Sequence, residues 1–159
     1  MNIGVSGHQH RSGIDWPWVT QAIRAQLANL RSAKRVFSSL ATGSDQIFAE
    51  VAIGLSLPVT AVVPLEGYER YFKAGDELAG YRRLLAQCDI IQLDWKGDPE
   101  RAFFNAGKFV VENCETLFAI WDGEEAEGLG GTADVVDYAT KHARKIVHID
   151  PIAKTIQRR

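Results

Sequence analysis

Two hydrophobic rhythms alternate along this chain. Short apolar runs bounded by Gly, Pro or Asp mark strands, and apolar residues recurring every three or four positions mark helices. Asn2–Ser6 predicts a short buried strand ended by Gly7. Asp15 is placed to cap a helix with Pro17 in its first turn, and Trp16, Val19, Ile23, Leu27 and Leu30 then recur at helical spacing. Val36–Ala41 predicts a second strand, Thr42–Asp45 its turn, and Ile47, Phe48, Val51, Ala52 and Leu55 the face of the next helix. Pro58 precedes a third strand, Val59–Val63, stopped by Pro64.

Leu65–Gly75 follows neither rhythm. It holds Tyr68, Tyr71 and Phe72 and reads as a long loop or a short irregular helix. Helical spacing returns over Glu77–Gln87, a strand over Asp89–Leu93, and a helix over Glu100–Asn113 with Ala102, Phe103, Ala106, Phe109 and Val110 on one side. Glu115–Trp121 predicts a strand, Val135–Ala143 a helix, and Lys145–Ile149 a final strand ended by Pro151. The basic stretch Ile152–Arg159 reads as a frayed tail.

About six strands alternating with about five helices predict a single α/β domain over residues 1–151, a doubly wound, mainly parallel sheet with helices on both faces. Such sheets bind ligands beyond the carboxyl ends of their strands, near the point where strand order reverses. Three turns fall at such ends: Ser6–Gly13, Thr42–Asp45 and Asp122–Thr132. All three carry glycine and small polar residues.

Gly130-Gly131-Thr132 opens the last long helix. Backbone N–H groups there lack partners, and with the helix dipole they favour an anion such as phosphate. The second turn, Thr42, Gly43, Ser44 and Asp45, offers the same device, with Asp45 placed to accept from a ribose hydroxyl; a plain N-cap role for Ser44 or Asp45 fits equally. Ser6, Gly7, His8 and Arg11 follow the first strand, Arg11 as a phosphate partner. His8 and His10 without a third ligand nearby are a weak metal signal, and neither metal nor cofactor is assigned. Asp122 and Asp134 are the acids adjoining the last turn, and an acid in a first helical turn is favoured by the dipole without further role. Tyr68 and the tryptophans can stack on a base or simply pack. No P-loop and no Gly-x-Gly-x-x-Gly follows the first strand.

Composition narrows the class. The chain has 159 residues, 46% hydrophobic and 24% charged, which are globular values. A net charge of −2 lacks the broad basic footprint of a nucleic-acid binder, so nucleic acid is not expected as a partner. Cys88 and Cys114 make neither a disulfide framework nor a Cys-x-x-Cys pair. No apolar run reaches membrane-spanning length and Met1–Val5 leads straight into a strand, so a cytoplasmic protein without a membrane partner is expected. The Trp and Phe content permits a homodimer.

Gly4-Val5-Ser6-Gly7-His8, Ala41-Thr42-Gly43-Ser44-Asp45-Gln46-Ile47-Phe48-Ala49-Glu50 and Gly130-Gly131-Thr132-Ala133-Asp134 resemble the SLOG superfamily. This group of Rossmann-like domains includes the DNA-processing protein A family and the LOG nucleoside-monophosphate phosphoribohydrolases. The resemblance spans almost the whole chain. It implies a Rossmann-like fold and binding of nucleotides or nucleotide-derived ligands at glycine-rich strand ends; some members cleave N-glycosidic bonds, some bind single-stranded DNA, and some are sensor domains. In LOG enzymes the motif runs Gly-Thr-x-x-Glu, with the Glu catalytic. Here that position is Val135, which cannot ionise, and Gly128-Leu129 stands where the motif begins Pro-Gly. Asp134 lies one residue early, a rotation of about 100° on a helix.

The sequence therefore predicts a domain that binds or senses a nucleotide-type small molecule. The alternative is an N-glycosidase or phosphoribohydrolase acting on nucleoside monophosphates, with Asp134 or Asp122 activating water.

Overall fold

A computed structural model of the chain describes residues 1–125 and 129–159. The elements run β1 (Asn2–Gly7), α1 (Trp16–Ala28), β2 (Arg35–Ser38), α2 (Ser44–Gly54), β3 (Val59–Val63), a 3-10 turn (Tyr68–Tyr71), α3 (Asp76–Leu85), β4 (Asp89–Gln92), α4 (Pro99–Glu112), β5 (Thr116–Ile120), α5 (Thr132–Lys141), β6 (Lys145–Asp150) and β7 (Thr155–Arg158). The strands form one seven-stranded sheet in the order β4-β3-β2-β1-β5-β6-β7. Strands β1 to β6 pair in parallel, and β7 lies antiparallel to β6. The chain winds outward from β1 to β4, then returns to place β5 on the other side of β1. The strand order reverses there, as a doubly wound Rossmann-like α/β fold requires.

Successive residues of a strand face opposite ways, so each strand feeds two cores. Ile3, Val5, Phe118, Ile120 and Ile149 pack with Val19 and Ile23 of α1, Phe48 and Val51 of α2 and Leu84 of α3. Phe37, Leu117, Ala119 and Ile146 pack with Val110 and Val111 of α4 and Val135, Val136 and Ala139 of α5. Covered on both faces, β3 and β5 are buried at every residue, which is why they read as continuous apolar runs.

Two helices start by the same device. Asp15 accepts the Trp18 N–H at 3.1 Å ahead of Pro17, and Asp98 accepts the Glu100 N–H at 3.0 Å ahead of Pro99. Proline has no N–H to lose in a first turn, and the aspartate satisfies one of the N–H groups left over.

The C-terminal tail departs from the sequence reading. Instead of fraying, Thr155–Arg158 forms the seventh strand on the open edge of β6, with Ile149 opposite Ile156. The turn into it is held by the Asp150 carboxylate, which accepts the N–H groups of Ile152 and Ala153, both at 2.9 Å. Every β7 residue is exposed, so no apolar rhythm announces it. Leu65–Gly75 contains a single 3-10 turn, with Tyr68 and Phe72 buried against Tyr81. Among the described residues no helix is long and apolar enough to cross a membrane.

Candidate functional site

The carboxyl ends of β1, β2, β3 and β5 surround a cavity of about 550 Å³. That is within the range of small-molecule sites, and it lies at the reversal of strand order. Sheet order sets out its walls. At the β3 end stand Pro64, Tyr68, Tyr71 and Phe72, joined by Phe103 of α4. At the β5 end stand Leu129, Gly130, Gly131 and Thr132. Ser6, Gly7, His8, Thr42 and Asp45, from the ends of β1 and β2, lie between.

The glycine turn at the β5 end is set by packing as much as by capping. Gly130 has φ +87°, and a Cβ there would lie 2.9 Å from Phe104 Cβ and 3.2 Å from the Glu100 carbonyl oxygen. Both the conformation and the close approach to α4 need glycine. Asp134 reaches back and its Oδ2 accepts the Gly130 N–H at 2.8 Å. Gly131 is the N-cap of α5 and brings no side-chain cap. Among the described residues no acceptor meets the N–H groups of Thr132 and Ala133, so this helix start presents donors and a positive dipole end to the cavity.

The second turn splits its labour. Gly43 has φ +89°, and a Cβ there would lie 2.6 Å from the Gln9 carbonyl oxygen. The Ser44 N–H and hydroxyl both donate to the His8 carbonyl oxygen, at 3.1 and 2.8 Å. These two residues lock the loop after β1 onto α2 and do not line the cavity, whereas Thr42 and Asp45 do. Asp45 is buried, with Oδ2 accepting the Ala41 N–H at 3.4 Å. Burial is the largest influence on its carboxyl and pushes it up to about 7, against the opposing hydrogen bonds from Ala41, Ser38 and Ser39. Burial likewise pushes the Tyr68 hydroxyl well above its usual range, helped by the Asp45 charge.

A polar group braces the loop after β1. His8 Nε2 lies 3.2 Å from both the backbone nitrogen and Oδ1 of Asp122. Arg11 Nη2 sits 2.7 Å from Asp122 Oδ2, a charge contact without hydrogen-bond alignment. Burial raises the Asp122 carboxyl, but the Glu124 N–H, His8 and Arg11 together outweigh it and hold the group below its ordinary value. His10 turns away to Glu77 of α3 at 3.2 Å. The two histidines thus serve different partners, and among the described residues no three His, Cys, Asp or Glu side chains converge.

Of the residues singled out from sequence, Ser6, Gly7, His8, Thr42, Asp45, Gly130, Gly131 and Thr132 meet around the cavity. Arg11, Gly43, Ser44, Asp122 and Asp134 stand behind its walls, tied to backbone or to one another. Gly128 lies outside the described residues. Sequence reasoning missed Ser39 and Glu100 as lining residues, and missed that Phe103 turns to the site. Glu100 and Phe103 arrive because α4 connects edge strand β4 to central β5 and packs across β1 and β3 on the way. No local spacing reveals such a crossing. Val135, where the LOG motif that the sequence resembles has its glutamate, is buried in the cavity wall.

No protein-family model matches the chain, and no curated protein matches it significantly. Solved structures do. DNA processing protein A from Streptococcus pneumoniae superposes with a TM-score of 0.67 at 18% identity, over 94% of this chain and 50% of that one. DNA processing protein A from Helicobacter pylori gives 0.67 at 15% identity, over 94% of this chain and 65% of that one. The protein TM1055 gives 0.58 at 15% identity, over 91% and 71%. The chain thus shares the Rossmann-like fold of these proteins, and it spans half to two thirds of the DNA-processing proteins it matches. The expectation against nucleic-acid partners does not stand, because the Helicobacter pylori protein of this fold is described by its single-stranded DNA binding mode. Net charge is a property of the whole molecule, whereas phosphate contact is local.

Proposed function

We propose that the cavity binds a nucleotide or nucleotide-derived ligand, with the base toward Tyr68–Phe72 and a phosphate at the start of α5. The observation carrying this reading is one cavity with aromatic rings at one end and an uncapped helix N-terminus at the other. Tyr71 is 42% exposed and meets Phe103 edge-on at 5.1 Å, leaving ring surface for a base. Thr42 and Asp45 lie between the two ends, where a ribose would sit. Binding rather than glycosidic cleavage is favoured because Val135 brings no charge and Asp134 and Asp122 are engaged behind the walls. The test is thermal shift against AMP, ADP-ribose, NAD, cyclic dinucleotides and nucleoside monophosphates, with chromatography of each mixture afterwards. A ligand that binds only the folded state raises Tm by mass action, and Gly131→Asp should abolish the rise. No shift with any nucleotide would refute the reading; free base in the mixture would turn it into the hydrolase alternative.

A second reading, single-stranded DNA, is supported by the shared fold over 94% of the chain with two DNA-processing proteins. The cavity would then take one nucleotide of a strand. Fluorescence anisotropy with labelled single-stranded DNA tests it: affinity should fall with salt and be lost in Gly131→Asp.

A further inference from the structure

A second depression adjoins the cavity. It measures about 240 Å³, is lined by His10, Trp16, Gln46 and Ile47, and shares Gln9 and Thr42 with the main cavity. At that size it falls below the usual range for an independent ligand site, and its two shared residues make it an annex.

The backbone between the two spaces is tightly held. The backbone of Gly43 passes so close to the His8–Gln9 backbone that a Cβ would lie 2.8 Å from the His8 oxygen and 2.6 Å from the Gln9 oxygen. Two hydrogen bonds from Ser44 to the His8 oxygen fix that approach. Gln9 and Thr42 line both spaces, so a ligand seated in the cavity reaches the annex across these two residues. Beyond the wall, the half-buried indole of Trp16 offers ring surface. The acids nearby are already matched: Glu77 faces His10 at 3.2 Å, and Glu50 at the groove's far side pairs with Arg83. The acid in the first turn of α2, Asp45, is buried in the wall of the main cavity and does not line the annex.

The geometry points to a ligand made of two linked nucleotide units, one filling the cavity and the base of the other stacked in the annex against Trp16. This rests on the nucleotide reading and narrows it to a dinucleotide-type chemistry. Such a unit is shared by a free dinucleotide and by a stretch of single-stranded nucleic acid.

The experiment is isothermal titration of AMP, the 5′-phosphorylated dinucleotide pApA (ApA below) and a ten-residue oligo-dA against the wild type, Trp16→Ala and His10→Trp. Trp16→Ala removes the stacking surface. His10→Trp places a larger side chain at the annex lining, and circular dichroism checks both folds. Wild type should bind ApA about tenfold more tightly than AMP, the gain of one modest base stack. Both variants should bind AMP as wild type does and lose the ApA advantage. Equal AMP and ApA affinities in wild type, or an advantage surviving both substitutions, would overturn the inference while AMP binding kept the nucleotide reading intact. Binding of none of the three probes would overturn both. If oligo-dA gains further over ApA the source is a strand, and if it does not the source is a free dinucleotide.

Discussion

Val135 packs directly on Gly107, so that α4 and α5 touch where they border the cavity: a Cβ at position 107 would lie 2.7 Å from Val135 Cγ2. The contact suits a stiff, β-branched apolar residue at this position. A charge there would be buried between two helices.

Gly107→Ala should therefore destabilise the protein although alanine is the better helix former. Helix propensity contributes about 1 kcal/mol in favour, and overpacking against Val135 costs about 1–3 kcal/mol, leaving a net loss of roughly 1 kcal/mol. Chemical denaturation measures it. Adding Val135→Ala should recover the Gly107→Ala loss in a double-mutant cycle; additivity would show that the two residues are not coupled.

Asp45 should make stability fall as pH rises from about 4 to about 7. Its carboxyl is ordinary near 3.8 when unfolded and about 7 when folded, so in this window the folded state holds a proton that the unfolded state has released. The cost of burying the ionised group is then complete above pH 7 and absent below 4. Its ceiling is on the order of 4 kcal/mol. Asp45→Asn keeps an acceptor for the Ala41 N–H and should match wild type near pH 4 but exceed it at pH 8, read from urea midpoints. Parallel pH profiles for the two proteins would contradict this.

Asp122 works in the opposite direction. Its carboxyl is held below the ordinary value in the folded state, so its stabilisation is present above about pH 4 and is lost as pH falls through the folded value. Asp122→Asn should remove that acid limb and cost about 1–3 kcal/mol at neutral pH, because His8, Arg11 and the Glu124 N–H lose a charged partner. It should also weaken nucleotide binding by loosening His8, a lining residue. Unchanged melting at pH 7 would remove Asp122 from the brace.

Asp134 separates the binding reading from the hydrolytic one. Its hydrogen bond to the Gly130 N–H shapes the glycine turn, so Asp134→Ala should lower stability by about 1 kcal/mol and reduce nucleotide affinity, while Asp134→Asn, which keeps an acceptor, should do less of both. If nucleoside monophosphates release free base in the wild type and Asp134→Asn stops this with binding intact, Asp134 carries chemistry rather than loop geometry.

Much of this was legible from residue order. The two rhythms located the six parallel strands and five helices, because a strand covered on both faces must be apolar throughout and a helix covered on one must repeat every three or four residues. The turns at Gly7, Thr42 and Gly130 were legible as strand ends for the same reason, and eight of the residues named there do meet around one cavity. Strand β7 was not, since its four residues are exposed and it exists by pairing with an edge that β6 leaves open.

What the sequence determined by itself is the class of fold and the chemistry of the strand-end turns, since both follow from short-range pattern. The tertiary structure alone decided which of those polar groups face the ligand space. Ser44 and Asp45 are neighbours, yet one bonds the His8 backbone and the other lines the cavity. Asp134 and Val135 are neighbours, yet the acid bends back to Gly130 and the valine borders the site. Glu100 and Phe103 reach the cavity only because α4 crosses from an edge strand to the centre of the sheet. A helix turns each successive residue by about 100°, so facing is set by what the helix packs against, and that partner is distant in sequence.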